Sequence, residues 1–167
     1  MTTTKSILRS PLLAAILGLS LVACKKEEAP PPAPVEVITV PSDPADLAGW
    51  KKYLGATVKA NMEGIRQRPF VYFVPAITDE ESQRQYDAQL ETVQETIARG
   101  VLPGNMLAFG SPDTSKLADL VVAAFKTSSP GSLKNVRVLV IGASADQERL
   151  AEAVKASEAE FVFVEAK

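Results

Sequence analysis

Residues 136–164 read VRVLVIGASADQERLAEAVKASEAEFVFV, and the order of patterns inside that stretch decides the fold. Residues 136–141 form a nearly continuous apolar run of strand length, rich in β-branched side chains. The small and polar residues 142–146 (GASAD) then lead into a segment that carries Leu150 and Val154 at helical spacing. A second apolar run, residues 161–164 (FVFV), closes the unit. Parallel strands cannot be joined by a tight turn and need a crossover, usually a helix. Strands without polar alternation are those covered on both faces, as in a parallel sheet.

The same alternation extends towards the N-terminus. Residues 105–110 (NMLAFG) predict a strand, and Ser111-Pro112-Asp113 starts a helix with Leu117, Leu120, Val121, Ala124 and Phe125 inward. Before that, Thr78 and Glu81 have capping-box spacing at the head of a long helix carrying Tyr86, Leu90, Val93 and Ile97 on one face. Gly100 and Pro103 end it. Residues 70–74 (FVYFV) predict another strand. Asp43 followed by Pro44 predicts the start of a first helix, with Leu47, Trp50, Leu54 and Val58 on its apolar side and Gly49 and Gly55 weakening it. The expected architecture is α/β: a small three-layer domain over residues 44–167 with a mostly parallel four-stranded sheet.

Composition limits the chemistry. Of 167 residues, 46% are hydrophobic and 23% charged, which is globular rather than disordered. There is no histidine, and Cys24 is the only cysteine. Ser-His-Asp triads, Cys-His pairs, His or Cys metal clusters and internal disulfides are therefore excluded. No cofactor and no metal are expected. The formal charge is −2. Without Lys5 and Arg9, sixteen basic residues remain against twenty acidic ones, near −4. Such a balance argues against a nucleic-acid partner, which calls for a basic stripe.

Residues 1–44 have a different character. Lys5 and Arg9 precede the apolar residues 11–22 (PLLAAILGLSLV), a stretch short for a membrane span but suited to a secretory signal. It ends in Leu21-Val22-Ala23-Cys24, which resembles the lipobox of bacterial lipoproteins. The resemblance implies removal of residues 1–23, a lipid on Cys24, and a membrane as the first partner. Lys25, in place of the aspartate that retains such proteins at the inner membrane, implies the outer membrane, facing the periplasm. Residues 24–43 then form a linker, with Pro30, Pro31, Pro32, Pro34 and Pro41 favouring an extended spacer. Within it, residues 35–40 (VEVITV) suit either a short strand at a sheet edge or unpaired extended chain.

Ligands of open parallel sheets bind beyond the carboxyl ends of the strands. Thr78, Ser111, Asp113 and Ser144 fall there, each at the head of a helix where an anion could be held. The competing explanation is that they cap their helices, and Ser144-Ala145-Asp146-Gln147 repeats capping-box spacing. Asp79-Glu80-Glu81 complements the helix dipole and would repel an anion. Trp50, Tyr53, Tyr72 and Tyr86 suit a core or its rim. Residues 140–145 have one glycine where a dinucleotide-binding turn needs three, and Ser144 has no histidine to activate it. Three functions fit: an envelope lipoprotein whose domain contacts another envelope protein, a small-ligand binder at the strand-end loops, and, last, an enzyme that uses neither His nor Cys.

Overall fold

The computed structural model describes residues 39–166. The lipobox, Cys24, and residues 35–38 of the VEVITV stretch lie outside them. Helix α1 (Leu47–Ala60) is followed by β1 (Phe70–Phe73), α2 (Glu80–Arg99), β2 (Met106–Gly110), α3 (Thr114–Phe125), β3 (Arg137–Gly142), a 3₁₀ turn (Ser144–Asp146), α4 (Gln147–Lys155) and β4 (Glu160–Glu165). The four strands lie in the order β1-β2-β3-β4, and all three pairings are parallel. Thr39 and Val40 belong to no strand.

Each crossover steps to the next strand in the same direction. Right-handed connections made in one direction place their helices on one face. Accordingly, α2, α3 and α4 share a core with Tyr72, Leu107, Phe109, Val138 and Val140. The alternate side chains, Met106, Ala108, Leu139 and Ile141, point to the other face and pack on Trp50, Tyr53, Leu54 and Val58 of α1. The domain is thus three-layered but unequal, with three helices on one side and one on the other. β2 is buried along its whole length and β3 at every position after Arg137. That double burial explains their unbroken apolar runs.

Two helix starts differ from the sequence expectation. α1 is capped by Asp46, whose carboxylate accepts from the Gly49 amide at 2.9 Å. Asp43 caps a preceding turn instead, and its carbonyl accepts the Trp50 indole N–H at 3.1 Å. Both aspartates are competent caps, and the burial of Trp50 selects between them. α2 is capped by Asp79 and not Thr78: Asp79 accepts from the Ser82 amide, and the Asp79 amide donates back to Ser82 Oγ. Gly100 ends α2 as expected, at φ 82°, a conformation other residues rarely adopt.

At the opposite end, Arg137 ties the layers together. Its Nη1 donates to the carbonyls of Asn61 and Glu63 beyond α1, and its Nη2 donates to Glu160 on β4. α1 therefore begins beside the carboxyl edge of the sheet and finishes at the amino edge.

Gly110 sets the approach of α1. A Cβ at this position would lie 3.0 Å from Leu54 Cδ1 and 3.2 Å from Cδ2, and Leu54 is buried. Gly110→Ala is expected to destabilise the domain by about 1–3 kcal/mol in chemical denaturation. The cost should shrink in a Leu54→Ala background, where the added methyl enters vacated space. An equal cost in both backgrounds would assign it to the backbone instead.

Candidate functional site

The loops that leave β1, β2 and β3 line up along the carboxyl edge, as a parallel sheet requires. Thr78 is in the first, Ser111 and Asp113 in the second, and Ser144 in the third. Their polar groups are largely occupied. The Thr78 amide donates to Ser82 Oγ at 2.8 Å, within the capping box of α2. Ser111 is fully buried, and its Oγ accepts from the Asp113 amide at 3.0 Å. Asp113 caps α3 through the Lys116 amide at 3.0 Å. These three stand where local chain geometry needs them.

Ser144 departs from the expected cap. Its hydroxyl makes no capping bond and is hydrogen-bonded to the Glu165 carboxylate at the end of β4. Asp146, at the head of α4, accepts from Arg149 Nε at 2.8 Å rather than from a backbone amide. Arg149 also reaches Asp119 of α3 at 2.9 Å. The hydrogen bond to Asp119 is the main cause holding the Arg149 pKa above its ordinary value. The middle of α3 and the first turn of α4 are thereby pinned together by an Asp-Arg-Asp bridge. Neither the Ser144–Glu165 pairing nor the Arg149–Asp119 half of this bridge is visible in residue spacing, because those partners come from distant segments.

A groove of about 560 Å³ opens at the same edge, between the chain entering α1 and the loop after β1. Its apolar wall is Pro44, Ala45, Leu47, Pro75 and Ala76, and Asp43, Asp79 and Glu81 stand among its polar lining. Of the sequence-selected residues only Thr78 lines it. The α1 side of this groove was not foreseen, since nothing in residues 43–47 marks contact with a loop thirty residues later. Three carboxylates and no basic side chain line it, so an anion is repelled there. The neighbouring field is also negative: Tyr86 is held above the usual tyrosine range by burial first, then by Asp119, Asp87 and Asp113.

Trp50, Tyr53 and Tyr72 are buried and Tyr86 is half-buried, so these aromatics serve the core and its rim. Tyr72 stacks on Phe109 with ring centroids 5.1 Å apart and donates to Thr96 Oγ1. Burial raises its pKa. Among the described residues there is no group of three or more His, Cys, Asp or Glu able to hold a metal ion. Likewise, no described helix is long and apolar enough to cross a membrane.

Comparison with family models, with curated proteins and with solved structures finds no match to this chain.

The capping box of α2 makes a pH prediction. Hydrogen bonds from the Ser82 amide, then from its hydroxyl, hold the Asp79 carboxyl below its ordinary value. A depressed pKa stabilises the fold above the unfolded carboxylate range, and that contribution is lost as pH falls through the folded value. Asp79→Ala should therefore lower the thermal midpoint at neutral pH. The gap from the unsubstituted chain should narrow as the solution is acidified into the carboxylate range. A gap independent of pH would mean that the capping charge is not what the aspartate contributes.

Proposed function

We propose that this chain is a membrane-anchored envelope lipoprotein whose α/β domain faces the periplasm and docks onto another envelope protein. The anchor rests on the resemblance of Leu21-Val22-Ala23-Cys24 to a lipobox, after a basic and then an apolar segment of signal-peptide length. Acyl chains on one cysteine hold a protein stably when more than one is attached, at about 0.8 kcal/mol per buried methylene.

The observation that carries the docking role is where apolar surface is left in water. Phe70 and Val71 of β1 are 43% and 49% exposed, and Leu102 after α2 is 73% exposed. All three belong to the amino edge of the sheet around β1, away from the strand-end loops. Three of the four large exposed apolar side chains among the described residues lie there, the fourth being Leu47 in the groove at the carboxyl edge, and such a grouping suits a protein contact. A small anionic ligand is less well served, because the Ser111 and Ser144 hydroxyls and the Asp113 carboxylate are engaged in the fold and the nearby groove is acidic.

Two measurements test the proposal. Labelled fatty acid should enter the protein in cells and be lost in Cys24→Ser; undiminished labelling in that variant removes the anchor. For docking, crosslinking in intact cells should give a reproducible adduct with an envelope protein. Leu102→Asp combined with Val71→Asp should reduce it at least ~10-fold, the equivalent of ~1.4 kcal/mol. The adduct should persist in Thr78→Ala, Ser111→Ala, Asp113→Asn and Ser144→Ala. The opposite pattern would move the function to the strand-end loops.

A further inference from the structure

The amino edge of β1 is both apolar and basic. Phe70 and Val71 are exposed, as is Leu102 on the loop before β2. The chain entering β1 carries Arg66 and Arg68, both exposed. Among the described residues, neither enters an ion pair or a side-chain hydrogen bond. Arg99, at the end of α2, is already shared with Glu95 at 3.5 Å.

Arg66 is held in place on the wall of a cleft. Its amide donates to the Gly104 carbonyl at 3.0 Å. Its Cβ, Cγ and Cδ lie 3.7, 3.8 and 3.9 Å from where a Gly104 Cβ would stand, so the aliphatic stem runs along Gly104. The cleft encloses about 360 Å³ and is lined by Gly64, Arg66, Pro103, Gly104 and Asn135. Of these five, Arg66 alone is charged, and the acidic residue nearest to it in the chain, Glu63, is not part of the lining. A guanidinium on an ordered stem, with no carboxylate in its cleft, suits a carboxylate brought by another molecule.

The shape of the apolar surface selects the form of what docks. Side chains alternate across a strand. Tyr72 belongs to the three-helix core, so Phe70 stands on that side of the sheet, while Val71 stands with Phe73 on the α1 side. The patch therefore wraps the edge of the sheet, and a flat membrane surface does not lie against both sides of an edge. An extended segment beside β1 does, since its own side chains alternate in the same way. Among the described residues β1 pairs with β2 alone. The Val74 amide donates to Gly110, so the even-numbered residues turn their amides to β2. The amides of Val71 and Phe73 then point outward, where an added strand would take them.

We propose that the amino edge of β1 receives an extended, acidic and apolar segment of the partner protein. Its apolar side chains cover Phe70, Val71 and Leu102, and its carboxylate meets Arg66, with Arg68 two residues on. This rests on the docking role proposed above and adds the chemistry of the partner. Arg66 stands four residues before Phe70, about 13 Å along an extended chain. The acidic and apolar positions of the partner are separated by a similar length.

Photocrosslinking in intact cells tests it, with a diazirine-bearing residue in place of the exposed Gln67 of the full chain. The adduct should be with a protein, and the crosslinked peptide should carry net negative charge. Arg66→Glu with Arg68→Glu should reduce the adduct at least ~10-fold, while Arg66→Lys with Arg68→Lys should keep most of it. A synthetic peptide of the crosslinked sequence, added to the full chain in detergent micelles, should slow exchange of the Val71 and Phe73 amides ~10-fold or more. Unchanged exchange at those amides, a basic crosslinked peptide, or an adduct with lipid would each overturn the proposal. So would an adduct that survives Arg66→Glu with Arg68→Glu but is lost in Leu102→Asp with Val71→Asp; docking at this edge would then stand without its charge. Absence of any protein adduct would remove the docking role as well. Should the charge-reversed variant fail to fold, the charge of the peptide crosslinked with both arginines present decides the matter.

Discussion

Two adjacent strands that are apolar on both faces dominate this molecule. β2 and β3 expose almost nothing, so every side chain along them must find cover above or below the sheet. Parallel pairing supplies helices automatically, one per crossover, but right-handedness sends α2, α3 and α4 to the same side. Met106, Ala108, Leu139 and Ile141 would be left in water if nothing preceded β1. At about 25 cal/mol per Å² of apolar surface, leaving them exposed would cost several kcal/mol. α1 meets that need. Trp50, Tyr53, Leu54 and Val58 lie over both middle strands, and Gly110 lets Leu54 come close.

The elements were legible because their apolar periods are strong and few. Four runs of strand length alternate with segments of helical spacing, and the structure places a strand or a helix at each. What spacing could not resolve was choice among equivalents. Asp43 and Asp46 are both good caps, as are Thr78 and Asp79, and the selecting contacts lie outside the capping motif or depend on a serine's own hydroxyl. Trp50 takes the Asp43 carbonyl, and Ser82 answers Asp79 one residue beyond Glu81, whose spacing from Thr78 suggested another box. Strand order was not legible either, because each crossover could have stepped in either direction with the same local sequence.

The candidate site shows the same division. Thr78, Ser111, Asp113 and Ser144 do fall at the carboxyl edge, which follows from the parallel sheet. Their chemistry does not follow from that placement. A hydroxyl at a strand end can cap its own helix, turn inward, or reach a neighbouring strand. Ser111 and Ser144 take the second and third of these courses. The bond between Ser144 and Glu165 spans 21 residues, so no local motif announces it. The acidic groove was equally hidden, since its two walls meet only after α1 has crossed the sheet.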